Sequence, residues 1–211
     1  IQFRFNQSPM FICFDGIDGT GKSTQIELIT RWLAQQGLES ITCRDPGSTA
    51  VGERLREIVL QGHDLDIHRT TEMFLYMTAR AQLVEEVIKP AIASGKVVVS
   101  DRFLLANVVY QGHAGGLTPE SIWQVGNVAT SGIHPDITIV LDLDVQTAAS
   151  RINRELDRIE AQGLEYMDQV RRGFLLEAEN APDTIKVIDA DNSPEQIHER
   201  IIDVISPHLQ P

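Results

Sequence analysis

Residues 14–24 read Phe14-Asp15-Gly16-Ile17-Asp18-Gly19-Thr20-Gly21-Lys22-Ser23-Thr24, directly after the short apolar run 10–13. The stretch fits the pattern G-x-x-x-x-G-K-[ST], and it lies between a strand-like run and a helix-like run. Glycines let the backbone curl around a phosphate, so that successive N–H groups and the positive end of the following helix point at the anion. An ordinary glycine-rich turn is the alternative, which both flanking runs argue against. We therefore predict a phosphate-binding loop whose residues are Gly16, Gly19, Thr20, Gly21, Lys22, Ser23 and Thr24.

Two side chains of this loop carry chemistry of their own. Lys22 offers a mobile positive charge for the β- and γ-phosphates of a nucleoside triphosphate, which makes it a candidate catalytic residue. The Ser23 hydroxyl has the right length to ligate Mg²⁺. The loop therefore predicts a triphosphate ligand together with a magnesium ion.

The size and charge of the chain limit the class of protein. Its 211 residues suit one α/β domain with a sizeable core, so we expect a single domain over residues 1–211. The formal net charge of −12 argues against a nucleic-acid backbone or an anionic membrane as the main partner. No apolar run approaches the ~20 residues of a spanning helix, and residues 1–8 are too short and too polar for the apolar part of a secretion signal. We expect a cytoplasmic protein.

Strand and helix patterns alternate along the chain. Strand-like runs lie at residues 10–13, 39–44, 97–101, 137–143 and 184–188, and the run at 97–101 lacks the polar alternation of a strand with one solvated face. Helical spacing follows at residues 21–36, 49–60, 70–93 (ending near Pro90), 103–110, 118–130, 164–180 and 193–205. This alternation predicts an α/β fold with a five-stranded parallel sheet flanked by helices, as in the P-loop NTPase fold.

Charged residues follow several of the predicted strands. Asp18, Arg44, Asp101 and Arg102 lie at or just after strand ends, and the carboxyl ends of parallel strands meet at one edge of a sheet. Asp101 has the position of an acid that holds Mg²⁺ directly or through water, although such an aspartate can merely cap a helix. Arg102 is predicted to contact a phosphate, the alternative being a surface carboxylate. We expect these side chains beside the phosphate loop.

Motifs outside the loop limit the class of phosphate-loop protein. A switch GTPase would carry a base-reading N-K-x-D and a D-x-x-G after its second strand, and this sequence has neither motif at those places. Several arginines on the edge of the sheet suit a kinase with a small phosphorylated acceptor, because positive side chains offset the repulsion between two anionic substrates.

Six motifs together resemble the bacterial thymidylate kinases. They occur in the order of that family, and the match runs from about Met10 to Ile205. The resemblance implies the reaction ATP + dTMP → ADP + dTDP with Mg²⁺, and it suggests a homodimer formed by helix packing. The motifs are the loop at 14–24, Arg44-Asp45-Pro46-Gly47, Ala79-Arg80-Ala81-Gln82, Asp101-Arg102-Phe103, Tyr110-Gln111-Gly112 and Leu156-Asp157-Arg158-Ile159-Glu160.

The resemblance also implies a site for dTMP. Asp18 would lie toward the 3′-hydroxyl of the acceptor sugar and take part in catalysis. Arg44 and Arg102 would hold the dTMP phosphate, with Arg102 also catalytic. Tyr76 would stack on thymine where the family usually has Phe, and Arg80, four residues later on the same helix face, would donate to the base O4.

Three further residues would complete this pocket. The amide of Asn107 can satisfy both the N3–H and a carbonyl of a pyrimidine. The Tyr110 ring would crowd a ribose 2′-hydroxyl, and Gln111 would lie beside it. The alternatives are a core position for Tyr76 and a solvated or helix-packing position for the other three.

Residues 150–162 resemble a short lid over ATP. One class of the family carries a catalytic arginine in the phosphate loop, but positions 17–20 here are Ile-Asp-Gly-Thr. The resemblance then requires the lid to supply the charge, from Arg151, Arg154 or Arg158. Arg158, beside Asp157, is our first choice for catalysis, and Arg154 is expected at ATP. A solvated charged helix face at 151–160 is the alternative.

Two hypotheses of different class remain at this point. The first is an active thymidylate kinase, with a kinase for another monophosphate or small acceptor as its nearest variant. The second is a relative that binds nucleotide without transferring phosphate.

Overall fold

The structure is a computed structural model that describes residues 9–62 and 64–209, so the expectation about residues 1–8 lies outside it. Among the described residues one sheet has five parallel strands in the order β2-β3-β1-β4-β5. The predicted five-stranded parallel sheet is confirmed. The strands are β1 Phe11–Asp15, β2 Ser40–Arg44, β3 Val97–Asp101, β4 Ile137–Asp142 and β5 Ile185–Asp189.

The register of the sheet aligns the carboxyl ends of three strands. Asp101 of β3 lies level with Phe14 of β1 on one side and with Arg44 of β2 on the other. Beyond these pairs the Arg102 N–H donates to the Phe14 carbonyl at 2.8 Å, and the Asp45 N–H donates to the Asp101 carbonyl at 3.0 Å. The loops after β1, β2 and β3 therefore leave the sheet side by side, where open α/β sheets bind ligands.

Helices connect the strands, and several begin at side-chain caps. The Thr49 hydroxyl accepts from the Gly52 N–H, and Ser193 forms the predicted capping box with Gln196. Within the part of the chain that the structure describes, no helix combines the length and the apolar character needed to cross a membrane. The helices are α1 Lys22–Gln35, α2 Ala50–Gln61, α3 Arg69–Leu83, α4 Lys89–Ala93, α5 Leu104–Asn107, α6 Pro119–Ala129, α7 Val145–Ser150, α8 Leu164–Asn180 and α9 Pro194–Ile205.

Two predicted helices differ from expectation because each widens into a π-helical turn. α3 continues through the π-helical segment Val84–Ile88 into α4, so the stretch that we predicted at residues 70–93 consists of three segments and passes Pro90 to end at Ala93. α5 likewise passes into the π-helical segment Val108–His113, beyond the predicted end at residue 110. A π-helical turn bonds i to i+5 and escapes a search for the 3.6-residue period. Such turns are frequent at functional sites.

Strand β1 lies at the centre of two apolar layers. All five of its residues are buried. Ile12 and Phe14 face the layer that contains buried side chains of α1, α8 and α9, whereas Phe11 and Cys13 face the layer that contains those of α3 and α6. Burial on both faces explains why β1 is a continuous apolar run.

Candidate active site

The phosphate loop joins β1 to α1 and depends on glycine at two positions. Gly16 has φ +118°, and a Cβ there would lie 2.4 Å from the Leu141 carbonyl oxygen. Gly19 has φ +86°, and its Cβ would lie 2.2 Å from the Ala148 carbonyl oxygen. Both positions exclude a side chain by conformation and by space. Gly21 precedes α1 without a side-chain cap, so the first N–H groups of the helix are open to an anion.

Two cations meet one carboxylate at this loop. Lys22 Nζ donates to the Gly16 carbonyl at 3.1 Å, to the Ile17 carbonyl at 2.9 Å and to Asp18 Oδ1 at 3.0 Å. The same Asp18 oxygen accepts from Arg102 Nη2 at 2.8 Å, and Arg102 Nη1 donates to the Gly16 carbonyl at 3.0 Å. Arg102, which follows β3, is thus held against Asp18 and Lys22 of the phosphate loop.

The ionisation of Asp18 follows from this contact. Burial alone would raise the pKa of its carboxyl, but the charges and hydrogen bonds of Lys22 and Arg102 outweigh burial and hold that pKa well below its usual range. Asp18 is therefore an anion at neutral pH, which can accept hydrogen bonds but cannot donate a proton.

Two cavities open beside this ion cluster. The loop cavity, of about 1450 Å³, is lined by residues 18–25, by residues 151–154 and by Asn192, Pro194 and Ile197, with Asp101. The arginine cavity, of about 770 Å³, is lined by residues from β2, α2, α3, β3 and the π-helical segment Val108–His113.

The two cavities meet. Asp18, Asp101 and Arg154 line both of them. Asp101 Oδ1 is buried and has no hydrogen-bond partner among the described residues. An unpartnered buried carboxylate oxygen is unfavourable unless a cation or a ligand completes it. Together with Ser23 on the loop cavity, this oxygen fits the predicted magnesium site, because Mg²⁺ prefers oxygen ligands.

One end of the arginine cavity is cationic. Arg44 lines it while its Nη2 pairs with Glu53 Oε2 at 2.7 Å. Arg102 lines it from the end of β3. Arg56, which the sequence analysis missed, also lines it and donates from Nη1 to the Pro46 carbonyl at 2.9 Å. The spacing in the sequence could have indicated this position, because Arg56 follows Glu53 by one turn of α2 and therefore lies on the same helix face.

The other end of the arginine cavity is built around Arg80, a buried side chain. Its Nε donates to Asp45 Oδ2 at 2.5 Å, its Nη1 to Asn107 Oδ1 and to Met77 Sδ at 3.1 Å each, and its Nη2 to the Phe103 carbonyl at 3.3 Å. A guanidinium has five N–H donors. One donor on Nη2 therefore remains for a ligand.

Aromatic and amide side chains complete this end. Tyr76, Tyr110, Asn107 and Gln111 all line the cavity. The Tyr110 ring lies 5.1 Å from the guanidinium carbon of Arg102, and its buried hydroxyl has no partner among the described residues. The structure thus brings together every residue that we predicted for substrate binding, and their individual roles stay predictions.

The predicted lid, residues 150–162, is not the helix of the alternative interpretation. It runs from the end of α7 to a short 3₁₀ turn, Glu160–Gln162, without a helix between them. Arg154 donates from its two Nη atoms to the Glu160 carboxylate at 2.7 and 2.8 Å. Arg158 lines neither cavity, because its Nε donates to the Val59 carbonyl at 2.9 Å and its Nη2 pairs with Glu72.

The lid arginine at the meeting point is therefore Arg154. Our first choice for the catalytic lid arginine, Arg158, has no support in this geometry, since it is held against α2 and α3. The structure instead gives Arg158 the position of an anchor.

Among the described residues, two acids of the lid and one acid of the phosphate loop have ligand atoms close enough for a metal ion. Oxygens of Asp18, Asp157 and Glu160 lie within 4.8 Å of one another. However, Glu160 is paired with Arg154, and Asp157 Oδ1 accepts from the N–H groups of Ile159 and Glu160 at 2.9 Å each. These acids shape the lid through protein contacts.

Asp15 lies fully buried at the end of β1. Burial raises the pKa of its carboxyl to about 7, although Arg102, whose Nη1 is 3.6 Å from Asp15 Oδ1, and Lys22 oppose that rise. This carboxyl therefore changes charge near neutral pH, whereas Asp18 does not.

The raised pKa of Asp15 predicts a pH-dependent stability. The unfolded chain loses this proton near pH ~3.9, so between there and the folded value of about 7 only the native state keeps it. The stabilising contribution is complete below about pH 4 and is lost as the pH rises toward 7. We expect Asp15→Asn to gain stability relative to the wild type between pH 4.5 and pH 8 in urea unfolding. A constant difference across that range would contradict the raised pKa.

The parallel sheet, the glycine loop after β1 and the acid that ends β3 define a protein of the P-loop NTPase class. The family model described as Thymidylate kinase matches residues 14–201 of the chain. The chain belongs to the thymidylate kinase family, which confirms the family that the six motifs predicted.

Individual relatives agree with this assignment. The chain is 44% identical over 190 residues to the thymidylate kinase of Rhodopirellula baltica, covering 90% of this chain and 77% of that protein. It is 41% identical over 195 residues to that of Kosmotoga olearia, covering 92% and 93%. The crystal structure of thymidylate kinase from Ehrlichia chaffeensis is similar with a TM-score of 0.78 at 27% identity, covering 94% of this chain and 99% of that one.

Proposed function

We propose that this protein transfers the γ-phosphoryl group of ATP to dTMP, giving ADP and dTDP, with the help of Mg²⁺. The observation that carries the proposal is the meeting of the loop cavity and the arginine cavity at Asp18, Asp101 and Arg154. Phosphoryl transfer depends on placing donor and acceptor in line and on stabilising charge between them. Two adjoining cavities that share Arg154, with Lys22 lining the loop cavity and Arg102 lining the arginine cavity, suit direct transfer.

The loop cavity suits ATP. Open N–H groups at the start of α1 and the loop amides would surround the phosphates. Lys22 would exchange its carbonyl contacts at Gly16 and Ile17 for the β- and γ-phosphates, which carry more negative charge.

The arginine cavity suits a pyrimidine nucleoside monophosphate. Arg44, Arg56 and Arg102 would hold the phosphate near the loop. At the far end, the remaining N–H of Arg80 would donate to the base O4, and Tyr76 would stack on the ring. Asp18 would lie between them, on the side of the sugar.

Ser23 and Asp101 would hold Mg²⁺ at the junction of the cavities. The ion, when bound, neutralises charge on the β- and γ-phosphates. Asp101 contributes the buried oxygen without a partner, and Ser23 a hydroxyl on the loop side. Neither residue has to move away from an existing buried ion pair.

Arg154 is the side chain that would stabilise charge on the transferring group. We expect Arg154→Ala to lower kcat at least ~100-fold while KM for dTMP changes by less than about threefold, because the charge is needed in the transition state. Steady-state kinetics measure both constants. Arg172→Ala is the control, since it removes an exposed arginine of α8 that pairs with Asp168 and lines neither cavity. A raised KM with unchanged kcat would contradict this role.

A coupled ADP-release assay tests the proposed reaction. The protein is supplied with ATP, Mg²⁺ and one acceptor at a time: dTMP, dUMP, CMP, AMP or none. Activity that requires dTMP supports the proposal. Activity that is highest with AMP or CMP would support a kinase for another monophosphate, and nucleotide binding without ADP release from any acceptor would support a non-catalytic relative.

We also propose a single domain and a homodimer, as the resemblance suggests. Phe74 on α3 is 51% exposed, which leaves a large apolar side chain for a second subunit to cover. Light scattering after size exclusion should give twice the chain mass of 23.5 kDa. A mass of one chain at all concentrations would contradict the dimer.

A further inference from the structure

A series of side-chain hydrogen bonds leads from the arginine cavity to the lid. Arg80 Nη1 donates to Asn107 Oδ1 at 3.1 Å, and Asn107 Nδ2 donates to Gln111 Oε1 at 2.5 Å. Gln111 Nε2 then donates to Glu72 Oε1 at 2.8 Å. The second oxygen of Glu72 accepts from Arg158 Nη2. The series therefore begins in the base-binding end of the cavity and ends on a lid residue.

The series has a direction. It starts at a cation, passes through two amides that each accept on one side and donate on the other, and ends at a carboxylate. Turning over the Gln111 amide would place its carbonyl oxygen against the Glu72 carboxylate, which is unfavourable. A ligand that fixes the Asn107 amide therefore also fixes the bond between Gln111 and Glu72.

Glu72 connects the two amides to the lid, because one of its oxygens accepts from Gln111 and the other accepts from Arg158. It is fully buried in the first turn of α3 and lines neither cavity. Arg158 holds the lid at the end of α2 as well, because its N–H donates to the Leu60 carbonyl at 3.0 Å and its Nε to the Val59 carbonyl at 2.9 Å. The lid is thus attached to the body of the protein at Arg158.

The attachment point lies close to the arginine at the junction. Two residues after Arg158, the Glu160 carboxylate accepts from both Nη atoms of Arg154 and from the Asp157 N–H at 2.9 Å. A shift of Arg158 would move Glu160 and, with it, Arg154. The position of Arg154 therefore depends on Glu72.

We propose that Glu72 is a positioning residue that couples recognition of the acceptor base to placement of Arg154. This inference rests on the proposed function. A base that engages Asn107 and Gln111 holds Glu72, Arg158 and the lid in the catalytic arrangement. An acceptor that has the phosphate but lacks the base fills only the cationic end of the arginine cavity. It does not contact Asn107 and Gln111, so it does not hold the lid in the catalytic arrangement. Base recognition then acts on kcat more than on KM.

The kinetic test compares dTMP with 2-deoxyribose 5-phosphate, which lacks the base. Glu72→Gln keeps the shape of the side chain and removes the charge that holds Arg158 and also Arg69, a second arginine that donates to the lid, at Gln162. We expect it to lower kcat for dTMP at least about tenfold, as is usual for a lost coupling, while kcat for 2-deoxyribose 5-phosphate changes less than about twofold. Arg158→Ala, which leaves Gln111 untouched, should give the same pattern, so the test does not depend on one variant.

The matched control is Glu177→Gln. Glu177 is also a buried glutamate whose two oxygens accept from side chains, here His113 and Trp123, and it lines neither the loop cavity nor the arginine cavity. It should leave the ratio of the two kcat values unchanged. If Glu72→Gln lowers kcat for both acceptors by the same factor, Glu72 is merely structural and the proposal is overturned.

Hydrogen exchange gives a readout that needs no turnover. We expect dTMP, but not 2-deoxyribose 5-phosphate, to slow amide exchange at residues 150–162 in the wild type and in Glu177→Gln, and to do so far less in Glu72→Gln. Equal protection by dTMP in all three proteins would overturn the coupling. A wild type that shows this protection but phosphorylates no dTMP would instead reject the proposed function and keep the coupling.

Discussion

Replacing Lys22 by methionine is expected to lower kcat for phosphoryl transfer by about a thousandfold or more. The lysine is buried, and its Nζ lies within 3.1 Å of three oxygens of the loop. Methionine keeps most of the apolar stem and removes the charge, so the loop can keep its shape while the phosphates lose their cation. Rapid kinetics at saturating ATP and dTMP measure the loss.

The matched control for this change is Lys89→Met. Lys89 lies on α4 and makes an exposed ion pair with Glu85, so its loss should leave kcat within about twofold, as is usual for surface pairs. Circular dichroism should show both variants folded. A Lys22→Met protein with kcat within tenfold of the wild type would mean that Lys22 does not act on the transferring group.

The second large effect is expected on stability. Arg80→Met should lower the free energy of unfolding by about 3–5 kcal/mol, because it leaves the buried Asp45 carboxylate without its cation. Side chains of both residues are at most 1% exposed, and the pair is 2.5 Å apart. Two acceptors, Asn107 Oδ1 and the Phe103 carbonyl, lose a donor as well. Urea unfolding measures the change.

A double variant separates the unpaired charge from lost packing. Asp45→Asn combined with Arg80→Met leaves no buried charge unpaired, so it should recover at least ~1 kcal/mol relative to Arg80→Met alone. Equal stability of the single and double variants would show that the loss comes from packing and not from the charge of Asp45.

The elements of the fold could be predicted because their signals are local. Buried parallel strands are short apolar runs, and Ser193 with Gln196 gives a capping box that the structure contains. The parallel sheet then brings the residues after β1, β2 and β3 to one edge, which is why Arg44, Asp101 and Arg102 could be expected beside the loop.

Other parts depend on contacts that a local pattern does not contain. The sequence favours Arg158 over Arg154 as the catalytic lid arginine, and only their partners, Glu72 on α3 and Glu160 in the lid, show which of the two lines the cavities. The π-helical segment Val108–His113 has five-residue bonding that the helical period conceals. Predicting that Arg56 lines the cavity required, besides its spacing from Glu53, knowledge of which face of α2 borders the cavity.

We propose that ATP and dTMP meet at Asp18, Asp101 and Arg154 and that the γ-phosphoryl group passes directly from one to the other. The most direct test is a rapid-quench single turnover with γ-³²P-labelled ATP, dTMP and Mg²⁺, with the protein in excess over ATP. We expect label to pass from ATP to dTDP, with no labelled protein and little labelled inorganic phosphate. Label that appears as inorganic phosphate without dTDP, or on the protein before dTDP, would contradict it.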